Sequence, residues 1–167
     1  MAGPSALALR ASPLFLREPE IRRGIELMLF GYSRLARSAD MVLAGHGLGR
    51  AHHRALYFIA RRPGLTVGEL LRLLAITKQS LGRVLGDLTS RDLVESASGE
   101  HDRRQKLLRL TKAGATLEAM LFDAFREQLS GAYASAGQDA VTGFWQVLEG
   151  LLPVEDRALA NDLSRAG

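Results

Sequence analysis

The chain has 167 residues, 47% of them hydrophobic and 24% charged, which suits one soluble globular domain with helical extensions. Cysteine is absent, so disulfides, thiolate metal sites and cysteine-based oxidant sensing are excluded. A net charge of +4 and a pI near 10.0 favour an acidic partner such as DNA.

Residues 1 to about 18 read as a loosely ordered arm interrupted by Pro4, Pro13 and Pro19. Arg10, Arg17 and two of these prolines make it a poor signal peptide. No run of about 18 apolar residues follows anywhere, so no membrane span is expected and the expected location is the cytoplasm. A long helix is predicted from about Glu20 to Ala44, with Ile21, Ile25, Met28, Leu29, Tyr32, Ala36, Ala39 and Leu43 on one stripe. Gly45, Gly47 and Gly49 break it. The next helix, about Arg50 to Arg61, turns His52, His53, Leu56, Ile59 and Ala60 toward the core, and Pro63-Gly64 ends it.

Thr66 and Glu69 form a capping box at the head of a short helix that starts at Val67 and carries Leu70, Leu71, Leu73 and Leu74. Thr77 is a second N-cap candidate. From there to about Arg91, Leu81, Val84, Leu85 and Leu88 recur at i, i+3, i+4 and i+7. At about 100° per residue, Gln79, Gly82, Arg83, Gly86 and Ser90 fall on the opposite face. Solubility alone would favour Glu, Lys and Ala there. Two glycines, each costing about 1 kcal/mol against alanine, suit close approach of a bulky partner instead. The bland alternative is a solvated face with two tolerated glycines.

Leu93–Ser96 and Lys106–Leu110 read as the strands of a hairpin, joined by the charged loop SASGEHDRRQ. Between His101 and Lys112 stand five bases (Arg103, Arg104, Lys106, Arg109, Lys112) and one acid, Asp102. Such a loop is either a solvated charge run or a footprint for phosphate. Thr111 then caps a helix from about Lys112 to Ala134. One stripe holds Ala113, Leu117, Met120, Leu121 and Ala124, and a second holds Phe122, Phe125 and Leu129. A helix apolar on two sides must be covered on two sides, one by its own domain and the other by a second helix or a second subunit. Gly137 breaks it, Gln138–Leu152 resumes with Phe144 and Trp145, and the tail after Pro153 forms a short helix or frays.

The run GLTVGELLRLLAITKQSLGRVLGDLTSRDLV, followed by DRRQKLLRLTKAG, resembles the winged helix-turn-helix of the MarR family from about Gly47 to Gly114. The resemblance implies a mainly α fold: a winged helix-turn-helix (49–111) with a two-stranded β wing, between an N-terminal arm and dimerisation helix (1–48) and C-terminal dimerisation helices (112–167). It also implies a homodimeric transcriptional regulator, a repressor by expectation, that a small-molecule effector releases from a pseudo-palindromic operator. In that reading Gln79 and Ser80 contact base edges, while Thr77, Lys78 and Arg83 hold phosphates. Asp102 orients an arginine, and Arg103 or Arg104 enters the minor groove. The family pattern usually has an aromatic residue where His53 stands. His53 and Tyr32 are therefore candidates for the effector pocket, beside the plainer reading of His53 as a hydrogen-bonded core histidine.

Three rivals carry less. A metal-dependent enzyme could use Asp40, His46, His52, His53 and His101, since imidazoles four to seven residues apart can converge on a metal. There is no HExxH, acid pair or Gly-rich phosphate loop, so neither catalysis nor a cofactor is expected. A metal-sensing regulator built on Asp40, His46 and His52 asks for less. A winged helix that binds only protein is disfavoured by the basic hairpin.

Overall fold

The computed structural model describes residues 12–99 and 105–165. After a 3-10 turn at Pro13–Leu16 come α1 (Glu18–Gly45), α2 (Arg50–Arg61), β1 (Leu65–Thr66), α3 (Val67–Leu74) and α4 (Lys78–Ser90). Then follow β2 (Val94–Ser98), β3 (Lys106–Leu110), α5 (Lys112–Ala136), α6 (Gln138–Leu151) and α7 (Val154–Arg165). The chain divides at Leu35 into two compact units. In the first, Arg22 pairs with Glu18 at 2.6 Å across one turn of α1, and Ile21, Ile25, Leu29, Phe30 and Tyr32 are exposed.

The second unit holds the core. Leu56 and Ile59 of α2, Leu65 of β1, Leu70 and Leu74 of α3, Leu81 and Leu88 of α4 and Leu121 of α5 are fully buried. Each such side chain contributes about 1.5–3 kcal/mol by leaving water. The predicted capping box is formed. The Glu69 amide donates to Thr66 Oγ1 at 3.2 Å, while Glu69 Oε2 accepts from the Thr66 amide at 2.9 Å and its hydroxyl at 2.7 Å. Burial alone would raise the Glu69 carboxyl, but the two Thr66 hydrogen bonds, with Arg62 and Arg72 nearby, bring it below its usual range. Ala75, at φ +50°, closes α3 in the left-handed region and turns the chain to Thr77.

The two-stranded wing expected from the sequence is present as β2 and β3, and the sheet adds a third strand to it. It has three antiparallel strands in the order β1-β3-β2, with Leu65 opposite Leu108, and Val94 opposite Leu110 through Ser98 opposite Lys106. Leu65 and Thr66 are too short a run to show alternation, and Thr66 doubles as the α3 cap, so the third strand leaves no pattern of its own.

The hairpin is pinned to α5 by a close backbone approach. Thr111 Oγ1 accepts from the Gly114 amide at 3.0 Å and donates to the Asp92 carbonyl at 2.6 Å, and the Thr111 amide donates to the Leu93 carbonyl at 3.1 Å. A Cβ on Gly114 would stand 1.9 Å from that Leu93 oxygen, so only glycine fits. Along α5, Leu117 and Leu121 are buried and Phe125 packs against the same core, one further step of four residues. Phe125 thus leaves the outward stripe predicted for it, while Met120 and Phe122 stay exposed, as do Phe144, Trp145 and Leu151 of α6. The tail forms α7, whose Leu163 carbonyl accepts a hydrogen bond from Arg61.

Candidate nucleic-acid interface

The second helix of the helix-turn-helix, α4, presents the predicted face. Leu81, Val84 and Leu88 are buried beneath it, while Lys78, Gln79, Ser80, Gly82, Arg83 and Gly86 are exposed. Nothing lies within 4 Å of where a Cβ would stand on Gly82 or Gly86. The two glycines make a bare strip of backbone flanked by Gln79 and Arg83. Lys78, Gln79 and Arg83 make no hydrogen bond or ion pair among the described residues, so their donors are available to a partner.

Thr77 is committed differently. Its Oγ1 accepts from the Ser80 amide at 3.1 Å and donates to Ser80 Oγ at 2.9 Å. The donation to Ser80 Oγ therefore consumes the one hydroxyl hydrogen with which the Thr77 side chain could hold a phosphate. Ser80 keeps its own hydroxyl hydrogen for a base edge or a phosphate.

Three side chains tie this helix-turn-helix to its surroundings, and the sequence patterns did not single out these contacts. Arg54 of α2 donates to the Leu74 carbonyl at 2.7 Å, closing the end of α3 just before the turn. Arg91, which follows α4, donates to the His46 carbonyl at 2.7 Å in the α1–α2 turn. His52 Nδ1 accepts from the Gly49 amide at 3.0 Å, and its Nε2 lies 3.1 Å from the Asp87 carboxylate of α4. Each of the three joins separate elements, so no local signal marks it.

The wing candidates Asp102, Arg103 and Arg104, with His101, lie outside the described residues. The hairpin stem that carries them is in place, closed by a 2.9 Å hydrogen bond from the Gly99 amide to the Gln105 carbonyl. Lys106, Arg109 and Lys112 are exposed on and just beyond the stem.

The effector candidates differ in setting. Tyr32 is exposed on α1. His53 is half-buried on α2 with its ring 4.8 Å from that of Phe125, and burial pushes its pKa down. Among the described residues its ring has no hydrogen-bond partner, so the hydrogen-bonded core histidine expected as the plain reading is replaced by an aromatic contact. Among the described residues the metal candidates are not brought together. Asp40 is held by Arg50 at 2.7 and 3.0 Å, and that hydrogen-bonded pairing lowers its pKa. His46 spends Nδ1 on the Val42 carbonyl at 2.9 Å, and both nitrogens of His52 are engaged. Among the described residues no three metal-ligating side chains gather, and no helix is long and apolar enough to cross a membrane.

Comparison with known proteins agrees with this geometry. A model of the MarR family matches residues 46–105. The HTH-type transcriptional regulator PetP of Rhodobacter capsulatus is 49% identical over 139 residues, 83% of this chain and 84% of that protein. A mutant MarR from E. coli, solved in complex with operator DNA, superposes with a TM-score of 0.64 at 24% identity, over 85% of this chain and all (100%) of that one. NadR in complex with 4-hydroxyphenylacetate gives 0.68 at 19% identity, over 92% of this chain and 99% of that one.

Proposed function

Because the chain belongs to the MarR family of DNA-binding transcriptional regulators, we propose that it is a homodimeric repressor whose two α4 helices read a pseudo-palindromic operator and which a small-molecule effector releases. The observation that carries this reading is the α4 face: two uncovered glycines beside Gln79 and Arg83, on a helix seated on a buried stripe of Leu81, Val84 and Leu88. Gln79 and Ser80 suit base edges in the major groove, and Lys78 and Arg83 suit phosphates. Asp102, Arg103 and Arg104 are proposed as the minor-groove wing on their sequence pattern alone.

For the dimer, the support is the apolar surface left open on α1, α5 and α6, including Phe30, Phe122, Phe144 and Trp145. Residues 1–48 and 112–167 would then supply the subunit interface and 49–111 the DNA-binding module. Obligate interfaces bury about 2,000 Å² or more, which needs an apolar surface of this extent. For the effector, the support is the ligand in NadR, a protein of the same fold, and the half-buried His53–Phe125 contact. The expected setting is cytoplasmic.

Sequencing the genomic fragments that co-purify with the protein tests the reading directly. Enrichment of one inverted repeat supports it, and fragments without a shared motif overturn it. Sedimentation equilibrium at low micromolar concentration should give twice the chain mass; a monomer would refute the dimer.

A further inference from the structure

We propose that His52 is a positioning residue for DNA recognition: its ring ties α4, through Asp87, to the first turn of α2 and so sets the angle at which the α4 face meets the groove. This rests on the DNA-binding reading above.

The roles of the two ring nitrogens follow from their partners. The Gly49 amide can only donate, so Nδ1 must be the acceptor. The neutral ring then carries its proton on Nε2, which donates to the Asp87 carboxylate at 3.1 Å. One rigid ring therefore caps α2 on one side and grips α4 on the other, 35 residues along the chain. Only 15% of the His52 side chain is exposed, against 57% for Asp87, so the ring is fixed in place and the carboxylate stands at the edge of the presented face. Asp87 follows Gly86 and sits one turn beyond Arg83.

The leverage is geometric. The leucine stripe holds α4 from below, but apolar contacts are not directional and permit some rotation about the helix axis. Side-chain tips lie about 5–6 Å from a helix axis, so a rotation of roughly 10° displaces them by about 1 Å. A hydrogen bond of about 2.9 Å stretched by that amount is no longer one. The directional His52–Asp87 link opposes this rotation. Arg91, gripping the His46 carbonyl, holds the far end of the same helix.

The test uses full-length protein, the duplex that unaltered protein selects from a randomised pool, and a random-sequence duplex. In His52→Asn the amide oxygen replaces Nδ1 as the acceptor for Gly49, but the shorter side chain cannot reach Asp87. Asp87→Ala removes the acceptor, whereas Asp87→Asn keeps an acceptor and removes the charge. The readout is the ratio of affinities for selected and random duplex, measured well below the lowest melting midpoint. The ratio should fall about fivefold in His52→Asn and in Asp87→Ala, in line with one charge-assisted hydrogen bond at a partly exposed site. The double variant should fall no further, as expected when one interaction has been removed twice. Asp87→Asn should keep the ratio while binding both duplexes more tightly, having lost a negative charge beside the phosphates. A preserved ratio in either of the first two variants overturns the proposal. So do additive losses in the double variant, or an Asp87→Asn ratio as low as that of Asp87→Ala. If His52→Asn does not fold, Asp87→Ala against Asp87→Asn decides alone. Failure of the unaltered protein to select any duplex would instead defeat the DNA-binding reading itself, and this proposal with it.

Discussion

Gly82 and Gly86 offer a test in which stability and function should move in opposite directions. Both lie inside α4, and an added Cβ meets nothing within 4 Å at either. In the free protein, glycine in a helix interior costs up to about 1 kcal/mol relative to alanine, so Gly82→Ala and Gly86→Ala should each stabilise by an amount of that order. For a protein of this size about 1 kcal/mol moves the melting midpoint by about 2–4 °C. In the complex the same methyl group must fit between the helix backbone and the groove. Forcing a methylene into a closely packed contact costs about 1–3 kcal/mol. That corresponds to roughly five- to 150-fold weaker binding per half-site, with the free-energy cost doubled in a dimer. Thermal melts at one fixed protein concentration, paired with titrations of the selected duplex, read both effects. Variants that melt higher and bind unchanged would show the glycines to be merely tolerated, and the face to be ordinary solvated surface. Variants that melt lower would refute the open environment assigned to these positions.

Five further outcomes are expected. Gly114→Ala, whose methyl would collide with the Leu93 carbonyl, should lose on the order of 3 kcal/mol in urea unfolding, while Gly68→Ala on the open side of α3 should lose none. Gln79→Ala should relax preference at one base pair per half-site with the salt slope unchanged. Arg83→Ala should flatten the log–log salt slope by about 0.9 per lost phosphate contact, twice over in a dimer. Arg104→Ala should weaken operator binding without lowering the melting midpoint, and Asp102→Ala should do nearly the same; tighter binding by the latter would refute its orienting role. The fifth concerns pH. Burial lowers the His53 pKa, so as pH falls below the unfolded value of about 6.5 the unfolded chain takes up the proton first and stability is lost. His53→Leu should remove that loss in urea unfolding between pH 7.5 and 5.5. The comparison with unaltered protein cancels Glu118, whose carboxyl is raised by burial against the opposing pull of Arg61 and which acts with the opposite sign.

Features with a local cause could be read from the sequence. Thr66, Thr77 and Thr111 all cap the helices predicted for them, because a cap depends on a residue three positions away. The stripe Leu81, Val84, Leu88 and its bare opposite face follow from the helical period alone. Contacts that depend on distant segments were not legible. β1 exists only because β3 lies beside it, and Phe125 turns inward because His53 waits there. Among the site features, the exposed donors of α4 and the Thr77 cap were readable, but the His52–Asp87 link was not. Period and propensity record what a residue does within its own element, and the partners that fix a side chain lie on other elements.

This distinction also changes what the basic composition means. A net charge of +4 and a pI near 10.0 point to an acidic partner, yet much of the arginine is spent inside the protein. Arg54 closes the end of α3, Arg91 holds the His46 carbonyl, Arg61 that of Leu163 and Arg157 that of Leu152, and Arg50 and Arg62 pair with Asp40 and Glu69. A guanidinium bound to a carbonyl still carries its charge, but its donors are no longer free to track phosphate oxygens. On the proposed reading, the basic groups of the α4 face and the hairpin that stay available to DNA are Lys78, Arg83, Lys106, Arg109 and Lys112, with the wing arginines. Electrostatic attraction comes from the whole molecule, whereas the ions released on binding are counted by these few contacts. Composition therefore identifies the class of partner, and the internal commitments of the arginines determine which residues can hold it.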